Sequence, residues 1–164
     1  MDRDHFWEVV EAARLRADGV DEVPEALVEL LRGRPLADLV AFREVQDELF
    51  GREAYRWDLW AAAYVINGGA SADGFEYFLG WLMAQGRERW ESTLTDPDSL
   101  AEVVDVDTGD LDCEEMPYVA PSAAEDEDAL WAALPDRAST CRLGLRESTS
   151  TSRTRSGCVA CCPG

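Results

Sequence analysis

Whatever chemistry this chain performs must come from carboxylates, arginines, aromatic rings and a few thiols. Its 164 residues include 15 arginines, no lysine and one histidine, His5. Without lysine there is no phosphate-cradling P-loop, no Schiff-base amine and no Ser–Lys dyad. A single histidine excludes a two-histidine metal helix and most histidine-containing zinc sites. The nearest approach to a nucleophile elbow, Gly69-Ala70-Ser71-Ala72-Asp73, has Asp73 where the motif needs glycine, and only His5 to serve it. That stretch reads instead as a helix stop, a tight turn and an N-cap at Ser71. An anion on the helix N-terminus there would meet Asp73. Asp105-x-Asp107-x-Gly109-Asp110-x-Asp112 is superficially close to a calcium loop. Its fifth and sixth positions are exchanged and its twelfth is Met116, so a solvated acidic loop is expected. Cys158-x-x-Cys161-Cys162 lacks the second Cys pair of a structural zinc site, and Cys141 lies across a Ser/Thr/Arg linker. No metal and no cofactor is expected.

The remaining candidate is a set of rings. Trp57, Trp60 and Tyr64 stand at i, i+3 and i+7, and Tyr77 and Trp81 at i and i+4. On two helices meeting at Gly68-Gly69 they either fill the core or line a groove for a small ligand or peptide, with Asp58, Asn67, Asp73 and Gln85 as polar contacts. If Asp58 and Asp73 face each other across the turn, they supply an acid and a base. The same corner then becomes the pocket of a carboxylate- or divalent-metal-dependent enzyme.

These side chains need helices to hold them, and the apolar spacing supplies helices. The first runs from an N-cap at Asp4, with Phe6, Val9, Val10, Ala13 and Ala17 inward, to Gly19. Pro24 opens a second that stops at Gly33; Pro35 opens a third, with Leu36, Leu39, Phe42 and Leu49 inward, ending near Gly51. A fourth spans Trp57 to Asn67. A fifth, capped by Ser71, carries Phe75, Phe78, Leu79 and Leu82 to Gln85-Gly86. A sixth covers Arg87 to Leu94, and Asp96-Pro97 opens a seventh through Val104. Strand-like alternation is confined to 103–107. Shorter helices are expected over 114–119 and 125–134. The predicted fold is all-α, a compact bundle of about six to eight helices with an irregular acidic segment and a disordered C-terminal tail.

The net charge of −19 is unevenly spread. Residues 1–89 hold 18 acidic and 10 basic side chains, 90–136 hold 15 acidic and none basic, and 137–164 hold one acidic and five basic. This divides the chain into a helical domain, 1–136, with its core in 4–104 and an acidic segment in 105–136, and a basic Ser/Thr/Arg/Cys tail, 137–164. A tail translated from a shifted reading frame would produce so abrupt a switch. A body this acidic repels phosphates, so nucleic acid is not an expected partner. Mimicry of nucleic acid by the acidic block would need it to be ordered. No run reaches the ~18 apolar residues of a membrane span, and the first residues do not form a signal peptide. The expected location is the cytoplasm, away from membranes.

Residues 55–86 carry a resemblance. Trp57-Asp58-Leu59-Trp60, Tyr64, Gly68-Gly69-x-Ser71-x-Asp73-Gly74-Phe75, Phe78-x-x-Trp81-Leu82 and Gln85-Gly86 resemble the signature of a bacterial family catalogued as domain of unknown function 4240. Phe6-Trp7, Asp96-Pro97-Asp98-Ser99-Leu100 and Glu114-Glu115-Met116-x-Tyr118-Val119-Ala120 extend the likeness over about residues 4–134. The resemblance implies a small helical domain and brings no activity, substrate or catalytic residue. With a nucleophile and its base absent, and an acidic flank beside an aromatic corner, the expected function is a non-enzymatic binding module. Its expected partner is a basic protein, such as a cationic toxin masked by an immunity-type protein, met by electrostatic steering. The oligomeric state is left open.

Overall fold

The computed structural model describes residues 1–102, 104 and 111–135; over these the chain is all-α, with eight α-helices and no strand among the described residues. The basic tail 137–164 with its cysteine motif, most of the strand-like stretch and the acidic loop 105–110 lie outside the described residues. No helix among the described residues is long and apolar enough to cross a membrane.

Local signals set most helix ends. α1 (Arg3–Arg14) is capped by Asp2, which accepts from the His5 amide at 2.9 Å, rather than by Asp4 as expected. Asp4 falls in the first turn, where its charge suits the helix dipole, and pairs with Arg87 at 2.7 Å. α2 (Val23–Leu31) takes Pro24 in its first turn, and α3 (Leu36–Glu48) follows Pro35. α3 runs on into a π-helical turn, Leu49–Ala54. α4 (Trp57–Ile66) ends at Gly68, whose φ of 67° is the left-handed conformation that glycine adopts without strain. In α5 (Ala72–Ala84) the Ser71 hydroxyl accepts from the Gly74 amide at 3.0 Å, so the elbow-like sequence is a helix cap. α6 (Arg87–Thr95) follows.

The helix expected from Asp96-Pro97 through Val104 is a 3-10 helix, Pro97–Glu102. The Asp96 carboxylate accepts from the Asp98 amide at 3.2 Å, a local bond that competes with α-helical pairing. The expected helix at 114–119 divides into a 3-10 turn, Met116–Tyr118, and α7 (Val119–Ala123), with Pro117 in the leading turn. α8 (Glu127–Ala133) is capped by Asp126, which accepts from the Ala129 amide at 3.0 Å.

α5 is the axial helix: every residue from Phe78 to Ala84 is buried, which suits a helix apolar on all sides. It shares one core with Phe6, Trp7 and Val10 of α1, Leu27 and Leu31 of α2, Leu39 and Phe42 of α3, and Trp90 of α6. Of the inward residues expected on α3, Leu36 is the exception; it is exposed. Residues beyond 110 join the same core through Leu111, Cys113, Met116, Val119, Ala120 and Leu130. Gly80 permits this, because its bare Cα lets the Cys113 carbonyl cross close to α5. Arg43, itself buried, pairs with Asp47 at 2.9 Å, donates to the Pro117 carbonyl and lies 5.7 Å from the Trp131 ring. Gln46 donates to the Met116 carbonyl at 2.9 Å. Two polar side chains of α3 thus dock the 116–118 turn.

Candidate functional site

The five candidate rings divide among three surroundings. Trp60 lies 4.7 Å from Phe75 and 5.9 Å from Tyr55, and stacking continues from Phe75 to Phe78 and from Phe78 to Trp81. Trp60 and the buried Trp81 therefore belong to one aromatic ladder that fastens α4 to α5 and supplies packing energy. Trp57 and Tyr64 are each 56% exposed and face water from the outer side of α4. Tyr77 turns toward the acidic segment: its backbone carbonyl accepts from the Cys113 amide at 3.0 Å. The charge of Glu114 raises the pKa of the Tyr77 phenol, followed by desolvation and by the charges of Tyr118, Asp73 and Glu76. The structure thus does not gather Trp57, Tyr64 and Trp81 around one groove.

The polar candidates have separate tasks. Asp58 is clamped by Arg56 through two bonds of 3.0 and 2.9 Å, and Arg56 also donates to the Leu94 carbonyl at 2.8 Å. This ties the start of α4 to the end of α6. Asn67 makes a reciprocal pair with Leu111, donating to its carbonyl at 3.1 Å and accepting from its amide at 3.0 Å. Asp73 is exposed in the first turn of α5, while Asp58 is in the first turn of α4. α4 spans about 15 Å at 1.5 Å per residue, so the two carboxylates stand at its opposite ends and do not face each other. Among the described residues no group of three His, Cys, Asp or Glu side chains is placed to hold a metal ion.

A different concavity lies where the start of α2 meets the 114–122 segment. It is a cleft of about 470 Å³ walled by Asp21, Glu25, Glu114, Glu115 and Tyr118, with Pro24 and Val28 as apolar lining. None of the four carboxylates takes part in an ion pair among the described residues, although most arginines there do. Sequence reasoning missed this cleft. The acidic pairs were visible, but some 90 positions separate Asp21 and Glu25 from Glu114 and Glu115, and no local period links them. The crossing at Gly80 brings the second pair into the fold.

Among curated proteins and solved structures, none matches the chain. Residues 1–126, which contain the whole aromatic signature, match the family described as Protein of unknown function (DUF4240), and the chain belongs to that family.

Proposed function

We propose that this chain is a non-enzymatic, cytoplasmic helical module that binds a basic protein partner. The observation that carries this reading is the cleft between α2 and 114–122, where Asp21, Glu25, Glu114 and Glu115 converge beside Tyr118, none of them paired with an arginine among the described residues. Four like charges around one concavity repel one another, and a bound cation relieves that repulsion. Tyr118 is half exposed and offers a ring face to a guanidinium or ammonium group. The acidic body as a whole would speed the encounter and make its rate fall with salt. The clamping of Asp58 by Arg56 and its separation from Asp73 leave the carboxylate-enzyme alternative without a facing pair.

The test is a titration with an arginine-rich peptide and a neutral peptide of equal length, on the full chain and on Glu25→Gln/Glu114→Gln. Binding of the basic peptide should weaken by about tenfold or more in the double variant and fall steeply between low salt and about 0.15 M. Equal affinity of the variant and the unaltered chain would overturn the reading.

A further inference from the structure

The outer side of α4 breaks the ordinary rule for a surface helix. Apart from Asp58 its sequence, Trp-Asp-Leu-Trp-Ala-Ala-Ala-Tyr-Val-Ile, is apolar all round, yet Leu59 and Ala63 alone are fully buried. Trp57, Ala61, Tyr64 and Val65 recur at i, i+4, i+7 and i+8, the spacing of a core-facing stripe, but this stripe faces water. Val65 is 79% exposed, and Trp57 and Tyr64 are 56% exposed. The aromatic ladder already occupies the inner side, and among the described residues no element covers the outer one.

The ends of this stripe are acidic. The bond from Arg56 to the Leu94 carbonyl sets the start of α4 beside the exposed Asp96 and Asp98. The Asn67–Leu111 pair sets its end beside the exposed Asp112, and the short turn into α5 places Asp73 there too. The nearby basic groups are engaged: Arg56 holds Asp58, and Arg89 is 4.0 Å from Glu102. An apolar stripe about 15 Å long with carboxylates at both ends is complementary to one kind of segment. We propose that the outer face of α4 docks a basic amphipathic helix, about three turns long, with apolar residues at its centre and Arg or Lys at each end. A second copy of this chain would bring like-charged ends together, since residues 1–136 hold 33 acidic and 10 basic side chains. This surface is separate from the α2 cleft, and the inference does not rest on that cleft.

The experiment titrates the full, isotope-labelled chain at about 0.15 M salt with a Leu/Lys amphipathic helical peptide. A Ser/Lys peptide of equal length and charge is the control. The expected result is saturable binding of the Leu/Lys peptide with amide shifts concentrated on 57–67, 96–98 and 112, and affinity at least about tenfold above that of the Ser/Lys peptide. Val65→Asp and, separately, Tyr64→Ser should each cost about tenfold in affinity without changing the fold, because both side chains are exposed. Glu25→Gln/Glu114→Gln should leave this binding unchanged, which separates it from the cleft. Equal binding of the two peptides, shifts that spare α4, absence of saturation, or a concentration-dependent dimer abolished by Val65→Asp would each overturn the proposal.

Discussion

Replacing Gly80 with alanine should destabilise the protein although alanine is the better helix former. Inside α5 the exchange favours the helix by about 0.8–1 kcal/mol. Against that, a Cβ at this position would lie 2.6 Å from the Cys113 carbonyl oxygen and 3.0 Å from the Met116 Cβ. An ordinary carbon–oxygen contact is about 3.3 Å or longer, so the crossing segment must retreat by about 0.7 Å. Neither obstacle is the free end of a flexible side chain. The segment is also held in place, because the Cys113 amide donates to the Tyr77 carbonyl at 3.0 Å and the Met116 amide to the Cys113 carbonyl at 3.3 Å. Overpacking costs about 1–3 kcal/mol; with both obstacles held in place the upper part of that range applies, about 2–3 kcal/mol, which leaves a net loss of about 1–2 kcal/mol. Urea unfolding followed by tryptophan fluorescence should show the midpoint falling by roughly 0.5–1 M, for a slope of about 2 kcal/mol per M. Gly51→Ala is the internal control: nothing lies within 4 Å of its added Cβ, so its midpoint should hold or rise. A Gly80→Ala midpoint that rises like the control's would refute the close approach, and with it the placement of Glu114, Glu115 and Tyr118 over α2.

Three further outcomes are expected. Arg43→Met removes the bond to the Pro117 carbonyl, the pair with Asp47 and the contact with Trp131; with Asp47 partly open to water, the loss should be about 2–4 kcal/mol, and thermal unfolding unchanged within about 2 °C would contradict it. Asn67→Ala leaves the Leu111 amide and carbonyl without their partner; a cost of about 1–3 kcal/mol should come with faster hydrogen exchange at Leu111, and unaltered exchange there would count against the pairing. Burial pushes the Cys113 thiol up from 9.0 to about 11, so the folded state keeps a proton that the unfolded state releases. The stability this gives is present in full below about pH 9 and is lost as pH rises toward 11, on the order of 2 kcal/mol. Cys113→Ala should flatten that decline, and a decline of equal size in the variant would assign it to other groups.

Much of the helix map was legible in the sequence, because caps and stops act over one turn. Ser71 and Asp126 accept from the amides three residues on. The errors came where two local signals competed. Asp2 and Asp4 are both good caps, and Asp96 starts an Asx turn that diverts the chain from an α-helix into a 3-10 helix. The candidate site was less legible. The spacing of Trp57, Trp60 and Tyr64 is the same whether the face they share is wet or dry, and beyond Asp58 α4 is apolar on every side, so its pattern names no inner face. Contact with Tyr55 and Phe75 draws Trp60 inward.

By itself, the sequence determined what depends on neighbours within about four residues: an all-α chain, the breaks at Gly33, Gly68 and Gly86, the capping role of Ser71, and an absence of lysine and near-absence of histidine that removes most familiar catalytic machinery. Only the tertiary structure decided which apolar faces pair and which carboxylates meet. Burial depends on how helices pack, and the acidic cleft joins residues some 90 positions apart through a crossing that Gly80 alone leaves room for. The outer face of α4 stayed wet for the same reason: α5 could cover one side of that helix, and no other element among the described residues covers the other.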